Sequence, residues 1–533
     1  MIRRDSAARR SLVTGFHGAC ATSQPLAAQA GLQALLAGGN AVDAALSAVA
    51  TLNVVEPMNT GLGGDLFALV YVAAERKVYA LNASGRAGAN CTVNAYRAHG
   101  LNAVPERGAW SVTVPGAPSG WCALNARFGR LSLERTLQTA IGYAEEGFPV
   151  SPLVADNWRA NEAVLKQDAE AARIYLVHGH APRVGERFCQ PDLARSLRRL
   201  AENGPEGFYR GPVAKAIVRT IQSHGALLTE EDLATYSATW VEPICTNYHG
   251  LQVWECPPNG QGIIALEALN ILSGVDLANM PFDAPDTVHV KMEALKLAMA
   301  DALRFVADPD QVRVPVEGLL SREYAARRLG DIDLARATPM PEPGRPLGTD
   351  TVYVTAVDGE GNAASVINSI FLAFGSGLVA EGTGICLQNR GSLFVMDPTH
   401  PNCLAPNKRP FHTIIPCLVT EDGDLRMSFG VMGGAMQPQG HVQVLTNILD
   451  HGMDVQAAID APRFYYQPEP GAPHLIEPYF PDETLAELRR RGHKLTLGEG
   501  GIFGGAQMIM VDGNSGALLC GSEPRKDGCA VAF

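Results

Sequence analysis

One hairpin constrains the fold of this chain more than any other stretch of its sequence. Residues 351–370 read "TVYVTAVDGEGNAASVINSI", in which two runs rich in Val, Ile and Thr flank a turn of Asp, Gly and Asn. This pattern predicts two antiparallel strands joined by a tight loop. If the turn is centred on Glu360, Thr351 lies opposite Ser369, with Cβ atoms about 5 Å apart. The hairpin therefore predicts two neighbouring hydroxyl groups.

The threonine follows a segment typical of a linker. Residues 331–350 read "DIDLARATPMPEPGRPLGTD" and are rich in proline, without helical or strand periodicity. A threonine hydroxyl becomes an effective nucleophile when a base takes its proton, and the free α-amino group of the same residue can be that base. Cleavage between Asp350 and Thr351 would free that group, so the sequence predicts a maturation site there. The alternative is that Thr351 is simply the first residue of a strand, where threonine is common.

Composition excludes several classes of function. The net charge of −12, with 46% hydrophobic and 18% charged residues, is typical of a globular protein and argues against nucleic acid or an anionic membrane as partner. The N-terminal "MIRRDSAARRSLVTGFHGAC" lacks the apolar core of a secretory signal and no stretch resembles a membrane span, so we expect a cytoplasmic protein. Eleven scattered cysteines form no CxxC pair and no Cys/His cluster, which predicts buried thiols and no metal site. Because dinucleotide and P-loop motifs are missing as well, we expect no cofactor.

The chain ahead of the linker has three recognisable parts. The stretch "AAQAGLQALLAGGNAVDAALSAVATLNVVEP" predicts two packed helices separated by a double glycine. Next, "DLFALVYVAAERKVYALNASGR" predicts two strands followed by a loop that holds Arg86. Residues 125–330 are expected to be mostly helical, with one long helix capped by Asp286 and ended before Pro309.

A glycine pair offers a second element of acyl-transfer chemistry. In "SFGVMGGAMQPQGH" an apolar strand runs into Gly433 and Gly434. Two successive backbone amides there could stabilise the oxyanion of a tetrahedral intermediate, and glycine allows the close approach. The alternative interpretation is an ordinary glycine turn.

Loops elsewhere carry cations that suit an anionic substrate. Arg86, Arg390, Arg409 and His412 all lie in predicted loops. An arginine fork binds a carboxylate through two parallel hydrogen bonds. Each of these cations, taken alone, is equally compatible with a structural role.

These motifs occur together with "GLGGDLF", "VPGAPSGW", "PPNGQGIIALEALNIL", "NKRP" and "CGSEPRKDGCAVAF". In this order they resemble the γ-glutamyltransferase family of N-terminal-nucleophile hydrolases over nearly the whole chain. The resemblance implies an α+β fold, a four-layer αββα sandwich, and a precursor that cuts itself before a threonine. It implies a large subunit, 1–350, with 331–350 as a cleavable linker, and a small subunit, 351–533. The two subunits would stay intertwined in one fold, and two such pairs could form a dimer.

The resemblance also assigns the catalytic residues by position. Thr351 matches the nucleophile and new N-terminus, and Ser369 matches the hydroxyl residue that hydrogen-bonds it. Gly433 and Gly434 match the oxyanion hole. This assignment agrees with the register of the hairpin.

The positions that would hold the substrate differ from those of relatives acting on glutathione. Phe371 and Arg390 stand where an Asn and a Gln hold the γ-glutamyl group, and Leu393 replaces the Asp that receives its α-amino group. His412 and Thr413 replace two serines that bind the α-carboxylate. The family's carboxylate-binding arginine would align near Ser84, two residues from Arg86. The pattern is similar to the cytoplasmic subgroup that includes oxamate amidohydrolase and cephalosporin acylase-like proteins.

The leading hypothesis is an autoprocessing amidohydrolase for a small, carboxylate-bearing amide without an α-amino group, with oxamate as the first candidate. Its expected substrate-binding residues are Arg86, Arg390, Phe371, His412 and Thr413. A glutaryl or cephalosporin-type acylase and a γ-glutamyl hydrolase or transferase are alternatives within the enzyme class. A non-catalytic relative that keeps the fold for binding is the alternative from another class.

Overall fold

The structure is a computed structural model, and it describes residues 10–338, 351–467 and 472–533. Two seven-stranded sheets form its centre. The strands of the first sheet are, in spatial order, Cys529–Ala532, Gly18–Thr22, Val352–Asp358, Ala363–Ser369, Asp65–Val72, Lys77–Ala83 and Thr239–Val241. Those of the second sheet are Val13–Gly15, Leu518–Ser522, Gly505–Val511, Asp424–Met432, Cys417–Glu421, Leu251–Glu255 and Ile244–Tyr248. Short strands at Phe148–Pro149 and Arg187–Phe188, at Val379–Ala380 and Ile385–Cys386, and at Phe464–Tyr465, His474–Ile476 and Leu495–Leu497 form three small sheets.

The helices fall into two groups along the chain. Those before residue 240 are Pro25–Leu36, Ala41–Val55, Val93–Ala98, Ala117–Phe128, Leu133–Glu146, Pro152–Ala160, Glu162–Leu165, Ala169–Tyr175, Pro191–Asn203, Glu206–Tyr209, Gly211–Ser223 and Glu230–Ala234. The later ones are Gly262–Leu272, Pro285–Phe305, Val316–Leu319, Arg322–Gly330, Met436–Leu449, Val455–Asp460 and Asp482–Arg490. Short 3₁₀ turns occur at Ala109–Ser111, Leu277–Asn279, Arg390–Leu393 and Gly500–Phe503.

The two sheets pack face to face, and helices cover their outer faces. Helix Ala41–Val55 packs on the first sheet and helix Met436–Leu449 packs on the second. Between the sheets, Phe67, Tyr353 and Leu418 belong to one buried apolar cluster. This is an α+β fold with the four-layer αββα order that the sequence predicted.

The central hairpin has the predicted register. Strands Val352–Asp358 and Ala363–Ser369 are antiparallel, with Val352 opposite Asn368. The carboxylate of Asp358 accepts a hydrogen bond from the Asn362 amide at 3.0 Å, which closes the turn. Every residue of both strands is buried because the sheet is covered on both faces.

Both sheets combine strands from the two sides of residue 351. In the first sheet, Val352–Asp358 pairs with Gly18–Thr22. In the second sheet, Cys417–Glu421 pairs with Leu251–Glu255. A cut before Thr351 would therefore leave two pieces joined through both ladders.

The structure describes only part of the predicted linker. Residues 331–338 lie against the rest of the protein, where the Thr338 amide donates to Glu293 Oε2 at 3.0 Å and the Ala337 amide donates to the carbonyl of Arg491 at 2.8 Å. Residues 339–350, including Asp350 of the predicted cleavage site, lie outside the described residues. Within the described ranges, no helix is long and apolar enough to cross a membrane.

Several element predictions were right and others need correction. The helical pair on either side of the double glycine is confirmed as Pro25–Leu36 and Ala41–Val55. The long helix ends at Phe305, before Pro309, as predicted, but Asp286 is not its cap. Its N-cap is Ala284 and Pro285 is its first residue, because proline suits the first helical position and Asp286 then lies in the first turn.

Helix Ala41–Val55 gives a test of local stability. The Asn40 side chain accepts hydrogen bonds from the amides of Val42 and Asp43 at 3.0 and 3.1 Å, and it donates to the Phe128 carbonyl at 2.6 Å. Asn40→Ala should lower stability by about 1–2 kcal/mol because the cap is lost, measured as a lower urea midpoint. The exposed control Asn203→Ala should leave the midpoint nearly unchanged, and equal effects in the two variants would contradict the capping role.

Candidate active site

The end of the hairpin brings Thr351 and Ser369 together inside the protein. Thr351 Oγ1 donates to Ser369 Oγ at 3.2 Å, and both side chains are buried. Ser369 Oγ also accepts the Phe371 amide at 2.9 Å. Phe371 has φ +80, a left-handed conformation that a bulky residue rarely adopts. The chain therefore turns sharply directly after the strand, and backbone strain of this kind is found at functional sites.

Arg390 brings a buried positive charge to the same hydroxyl group. Its side chain is fully buried and donates to Ser369 Oγ at 3.1 Å and to Thr413 Oγ1 at 2.6 Å. Its guanidinium lies 4.5 Å from the centre of the Phe371 ring. Burial lowers the pKa of Arg390 to about 9, so the group is still charged at neutral pH. Among the described residues no carboxylate forms an ion pair with it, which is unusual for a buried cation.

His412 lies beside this arginine as a neutral group. Its Nε2 donates to Asp65 Oδ2 at 3.0 Å, and the Ile414 amide donates to its Nδ1 at 3.3 Å, which fixes the tautomer. Burial, together with the nearby charge of Arg390, lowers the pKa of His412 to about 4. His412 is therefore a hydrogen-bond donor to Asp65 at neutral pH.

Gly433 and Gly434 connect strand Asp424–Met432 to helix Met436–Leu449. Their φ angles of +127° and +56° lie in the region that favours glycine. The Gly433 carbonyl accepts the Met436 amide at 2.9 Å. In the described ranges, the amides of Gly433 and Gly434 donate no hydrogen bond. Two such amides at a helix N-terminus can stabilise an oxyanion.

Two glutamines at this site were missed in the sequence. Gln437 Nε2 lies 3.4 Å from Thr351 Oγ1, and Gln437 Oε1 accepts the Ile415 amide at 3.0 Å. Gln261 Nε2 contacts the carbonyl oxygen of Gly434 at 2.8 Å. Gln437 could have been found from its place one helical turn after the glycine pair, whereas Gln261 is distant in sequence and carried no local signal.

The other two predicted arginines make their contacts elsewhere. Arg86 is partly exposed and forms an ion pair with Asp310 at 3.3 Å. Arg409 is buried and pairs with Asp310 at 2.6 Å and with Asp308 at 3.2 Å. In the described structure neither arginine contacts Thr351 or Ser369. The substrate-binding role of Arg86 stays a prediction, and Arg409 has the partners of a structural cation.

Comparison with known proteins shows the family to which this chain belongs. The family profile described as Gamma-glutamyltranspeptidase matches residues 27–533. The chain belongs to the γ-glutamyltranspeptidase family. It is 40% identical over 514 residues to the Glutathione hydrolase-like YwrD proenzyme of Bacillus subtilis (strain 168), covering 95% of this chain and 97% of that protein.

Other relatives carry different activities in their names. The Oxamate amidohydrolase proenzyme of Klebsiella pneumoniae subsp. pneumoniae is 36% identical over 528 residues, covering 97% of this chain and 98% of that protein. The crystal structure of cephalosporin acylase from Bacillus halodurans matches with a TM-score of 0.94 at 45% identity, over 100% of this chain and 99% of that one. This γ-glutamyltranspeptidase family member is therefore an amidohydrolase of the N-terminal-nucleophile type.

The family member also contains two buried sets of metal-ligating side chains that the sequence did not predict. Donor atoms lie within 4.8 Å of one another in Glu255, Cys417 and His441, and in His289, Glu293 and His493. His441 Nδ1 lies 2.7 Å from Glu255 Oε1, and its Nε2 accepts the Val431 amide at 3.1 Å. His289 Nδ1 lies 2.7 Å from His493 Nε2. One hydrogen bond joins two members in each set, while Glu255 Oε2 and His493 Nδ1 have no hydrogen-bond partner among the described residues. Sequence spacing could not reveal either set, because the members come from distant segments.

The buried histidines predict an acid-sensitive fold. Burial lowers the pKa of His412 to about 4 and that of His441 to about 3. The unfolded chain binds these protons from about pH 6.5 downward, whereas the native protein does not. Stability should therefore be fully present above pH 6.5 and fall as the pH drops toward 4, by up to about 1.4 kcal/mol per pH unit for each group.

Urea unfolding at a series of pH values measures this loss. In His412→Gln the dependence between pH 6.5 and 4 should be shallower than in the wild type, because one titrating group is removed. Asn203→Ala, which replaces an exposed side chain that does not titrate, should keep the wild-type slope. An unchanged slope in His412→Gln would show that His412 does not contribute.

Proposed function

We propose that this protein is an autoprocessing N-terminal-threonine amidohydrolase that acts on a small amide carrying a carboxylate and no α-amino group, with oxamate as the best candidate. The observation that carries the proposal is the buried guanidinium of Arg390 beside Ser369. The charge of Asp65 acts on it from a distance, but no carboxylate of the described residues forms an ion pair with it. A substrate carboxylate would supply that partner through a charge-assisted, bidentate contact. Leu393, at the position where glutathione-type relatives hold an ammonium group, offers no charge for one.

The chemistry follows from the groups around Thr351. After cleavage, the Thr351 α-amino group takes the hydroxyl proton while Oγ1 attacks the amide carbon. The amides of Gly433 and Gly434 stabilise the resulting oxyanion. Collapse of the intermediate breaks the C–N bond and releases ammonia, which takes the proton from the α-amino group. Water then attacks the acyl ester and restores the Thr351 hydroxyl, and with oxamate the second product is oxalate.

The spacing of these groups favours a short substrate. Arg390 Nη2 lies 3.1 Å from Ser369 Oγ, which lies 3.2 Å from Thr351 Oγ1. Only two hydrogen bonds separate the cation from the nucleophile, so a bound carboxylate lies close to the scissile carbonyl. In oxamate the two carbons are directly bonded. The Phe371 ring packs against the guanidinium and would close one side of the site.

Maturation and location belong to the same proposal. Cleavage before Thr351 would give subunits of residues 1–350 and 351–533, and the relatives named above are proenzymes. A dimer of such pairs stays a prediction. All eleven cysteines are unpaired, and although Cys189 is exposed, most are buried as predicted. Unpaired thiols suit a reducing compartment, so we place the enzyme in the cytoplasm.

An acylase for a longer acyl group is the second candidate. The 45% identity and TM-score of 0.94 with the cephalosporin acylase favour it. A glutaryl group also ends in a carboxylate, which Arg390 could bind. Its carboxylate is three methylene groups from the scissile carbonyl, so it would have to fold back to reach both Arg390 and Thr351.

A substrate panel separates these activities. Matured protein should release ammonia from oxamate faster than it cleaves glutaryl or γ-glutamyl p-nitroanilide at equal concentration. Arg390→Met should raise the KM for oxamate about 10- to 100-fold because a charge-assisted hydrogen bond is lost. Arg198→Met is the control and should leave the KM unchanged, since Arg198 is an exposed arginine that pairs with Glu145, 2.9 Å from its Nε, and not with Ser369. Robust γ-glutamyl turnover without oxamate activity, or an unchanged KM in Arg390→Met, would overturn the substrate assignment.

Gel electrophoresis tests the maturation step. Scaling 56.6 kDa by 350 and 183 of 533 residues gives fragments of about 37 and 19 kDa. Thr351→Ala should remain one full-length, inactive chain, because the attacking hydroxyl is missing. Thr351→Ser, which keeps a hydroxyl, should still cleave, and N-terminal sequencing of its small fragment should begin at residue 351. Normal cleavage of Thr351→Ala, or a wild-type chain that stays intact, would contradict the mechanism.

A further inference from the structure

Gln261 is a fully buried side chain between the arginine site and the glycine pair. Its Nε2 donates to the carbonyl oxygen of Thr413 at 2.6 Å and to that of Gly434 at 2.8 Å. We propose that Gln261 is a positioning residue that holds the Gly433–Gly434 loop in the orientation needed to bind an oxyanion. This inference rests on the function proposed for Thr351.

The identity of the donor atom follows from its surroundings. Both neighbours of Nε2 are carbonyl oxygens, which only accept hydrogen bonds, so the amide nitrogen and not the amide oxygen must face them. Gln261 Oε1 has no hydrogen-bond partner in the described part of the chain. An apolar side chain would fill this space without leaving a buried oxygen unpaired. The glutamine is therefore explained by what its nitrogen donates, and not by packing.

The glycine pair needs such a restraint. Glycine reaches the positive φ angles of Gly433 and Gly434 without strain, but it also allows the adjoining peptide planes to rotate at little cost. A rotated plane would point a carbonyl oxygen, and not an amide, toward the oxyanion. The Gly434 amide shares its peptide plane with the Gly433 carbonyl, which the Met436 amide fixes at 2.9 Å. The next plane, between Gly434 and Ala435, is fixed at the Gly434 carbonyl by Gln261 at 2.8 Å and by the Gln437 amide at 3.2 Å. Gln261 therefore restrains rotation about Gly434 from the far end of the loop, and through it the orientation of the two amides.

Gln261 also closes a ring of hydrogen bonds around the nucleophile. Each member contacts the next at 3.4 Å or less, in the order Thr351, Ser369, Arg390, Thr413, Gln261, Gly434, Gln437 and back to Thr351. The anion-binding arginine and the oxyanion loop are therefore positioned relative to each other through one side chain. Gln261 lies directly before helix Gly262–Leu272, so the ring is attached to a helix that packs on the second sheet.

The test uses p-nitrophenyl acetate on fully matured protein. Its acyl group has no carboxylate, so the rate of p-nitrophenolate release reports on Thr351 and the oxyanion loop without requiring a carboxylate contact with Arg390. The uncleaved Thr351→Ala chain gives the background. Gln261→Met keeps the side-chain length and removes both donated hydrogen bonds.

The matched control is Gln443→Met on helix Met436–Leu449. Gln443 is also buried, and its Nε2 also donates to two carbonyl oxygens, those of Gln439 at 3.1 Å and Phe464 at 3.0 Å. It makes no contact with the glycine pair among the described residues. Its substitution measures how much the acylation rate falls when a buried glutamine donor is removed from a helix that packs on the second sheet.

Gln261→Met should slow acylation about 10- to 100-fold. This decrease is no larger than the decrease in rate that follows removal of one oxyanion-hole donor. The half-saturating ester concentration should change little, because the donors act on the transition state. Gln443→Met should stay within about threefold of the wild type. Wild-type acylation by Gln261→Met, or an equal loss in Gln443→Met, would overturn the assignment.

Gln261→Glu keeps the proposal testable if Gln261→Met does not mature. A carboxyl side chain donates one hydrogen bond when protonated and repels both carbonyl oxygens when ionised. Its acylation rate relative to the wild type should therefore rise as the pH is lowered, which a purely structural role would not produce. A ratio that is constant with pH would overturn the proposal. Wild-type release no faster than that of Thr351→Ala would overturn the function of Thr351 itself, and with it this inference.

Discussion

The pairing of the two central strands of the first sheet determines where the chemistry of this protein can occur. Val352 lies opposite Asn368, and this register alone places Thr351 against Ser369. A slip of one residue would turn every side chain of the strand to the opposite face. Both faces are buried, one against helices and the other against the second sheet, so such a slip is strongly disfavoured. Thr351, the proposed nucleophile, is therefore positioned by the most constrained element of the fold.

Burial sets the charges of the side chains around Thr351. Arg390 keeps its charge in an apolar setting, with hydroxyl groups as hydrogen-bond partners and the Phe371 ring against the guanidinium. His412 becomes neutral there, because burial and the neighbouring guanidinium disfavour a second positive charge. Among the described residues, Arg390 is the cation that hydrogen-bonds Ser369, whereas Asp65, whose charge also favours the charged guanidinium, is hydrogen-bonded by His412. Two neighbouring basic side chains therefore carry different charges at neutral pH, although both are buried.

The second sheet supplies the proposed oxyanion-binding loop. Strand Asp424–Met432 ends at the glycine pair, where the amides of Gly433 and Gly434 are left without acceptors in the described chain. Their conformation depends on contacts from outside the loop, since glycine by itself imposes little restraint. Side chains from a distant segment, Gln261, and from the following helix, Gln437, provide these contacts. The contacts that position Thr351 and the glycine pair therefore come from both sheets and from the helices behind the second one.

The sequence by itself determined the hairpin, its register and the hydroxyl pair, because strand alternation and turn residues are local signals. It also indicated the glycine pair and, through a family resemblance, the four-layer fold. Local patterns did not reveal the edge strand Val13–Gly15 or the strand Gly18–Thr22, which depend on partners hundreds of residues away. They also gave four cations equal weight. Only the tertiary structure separated Arg390, whose neighbours are hydroxyl groups, from Arg86 and Arg409, which Asp308 and Asp310 neutralise. The physical reason is that the sequence specifies which side chains are charged. The burial of a charge and its ion-pair partners decide what it can bind, and both arise only when distant segments come into contact.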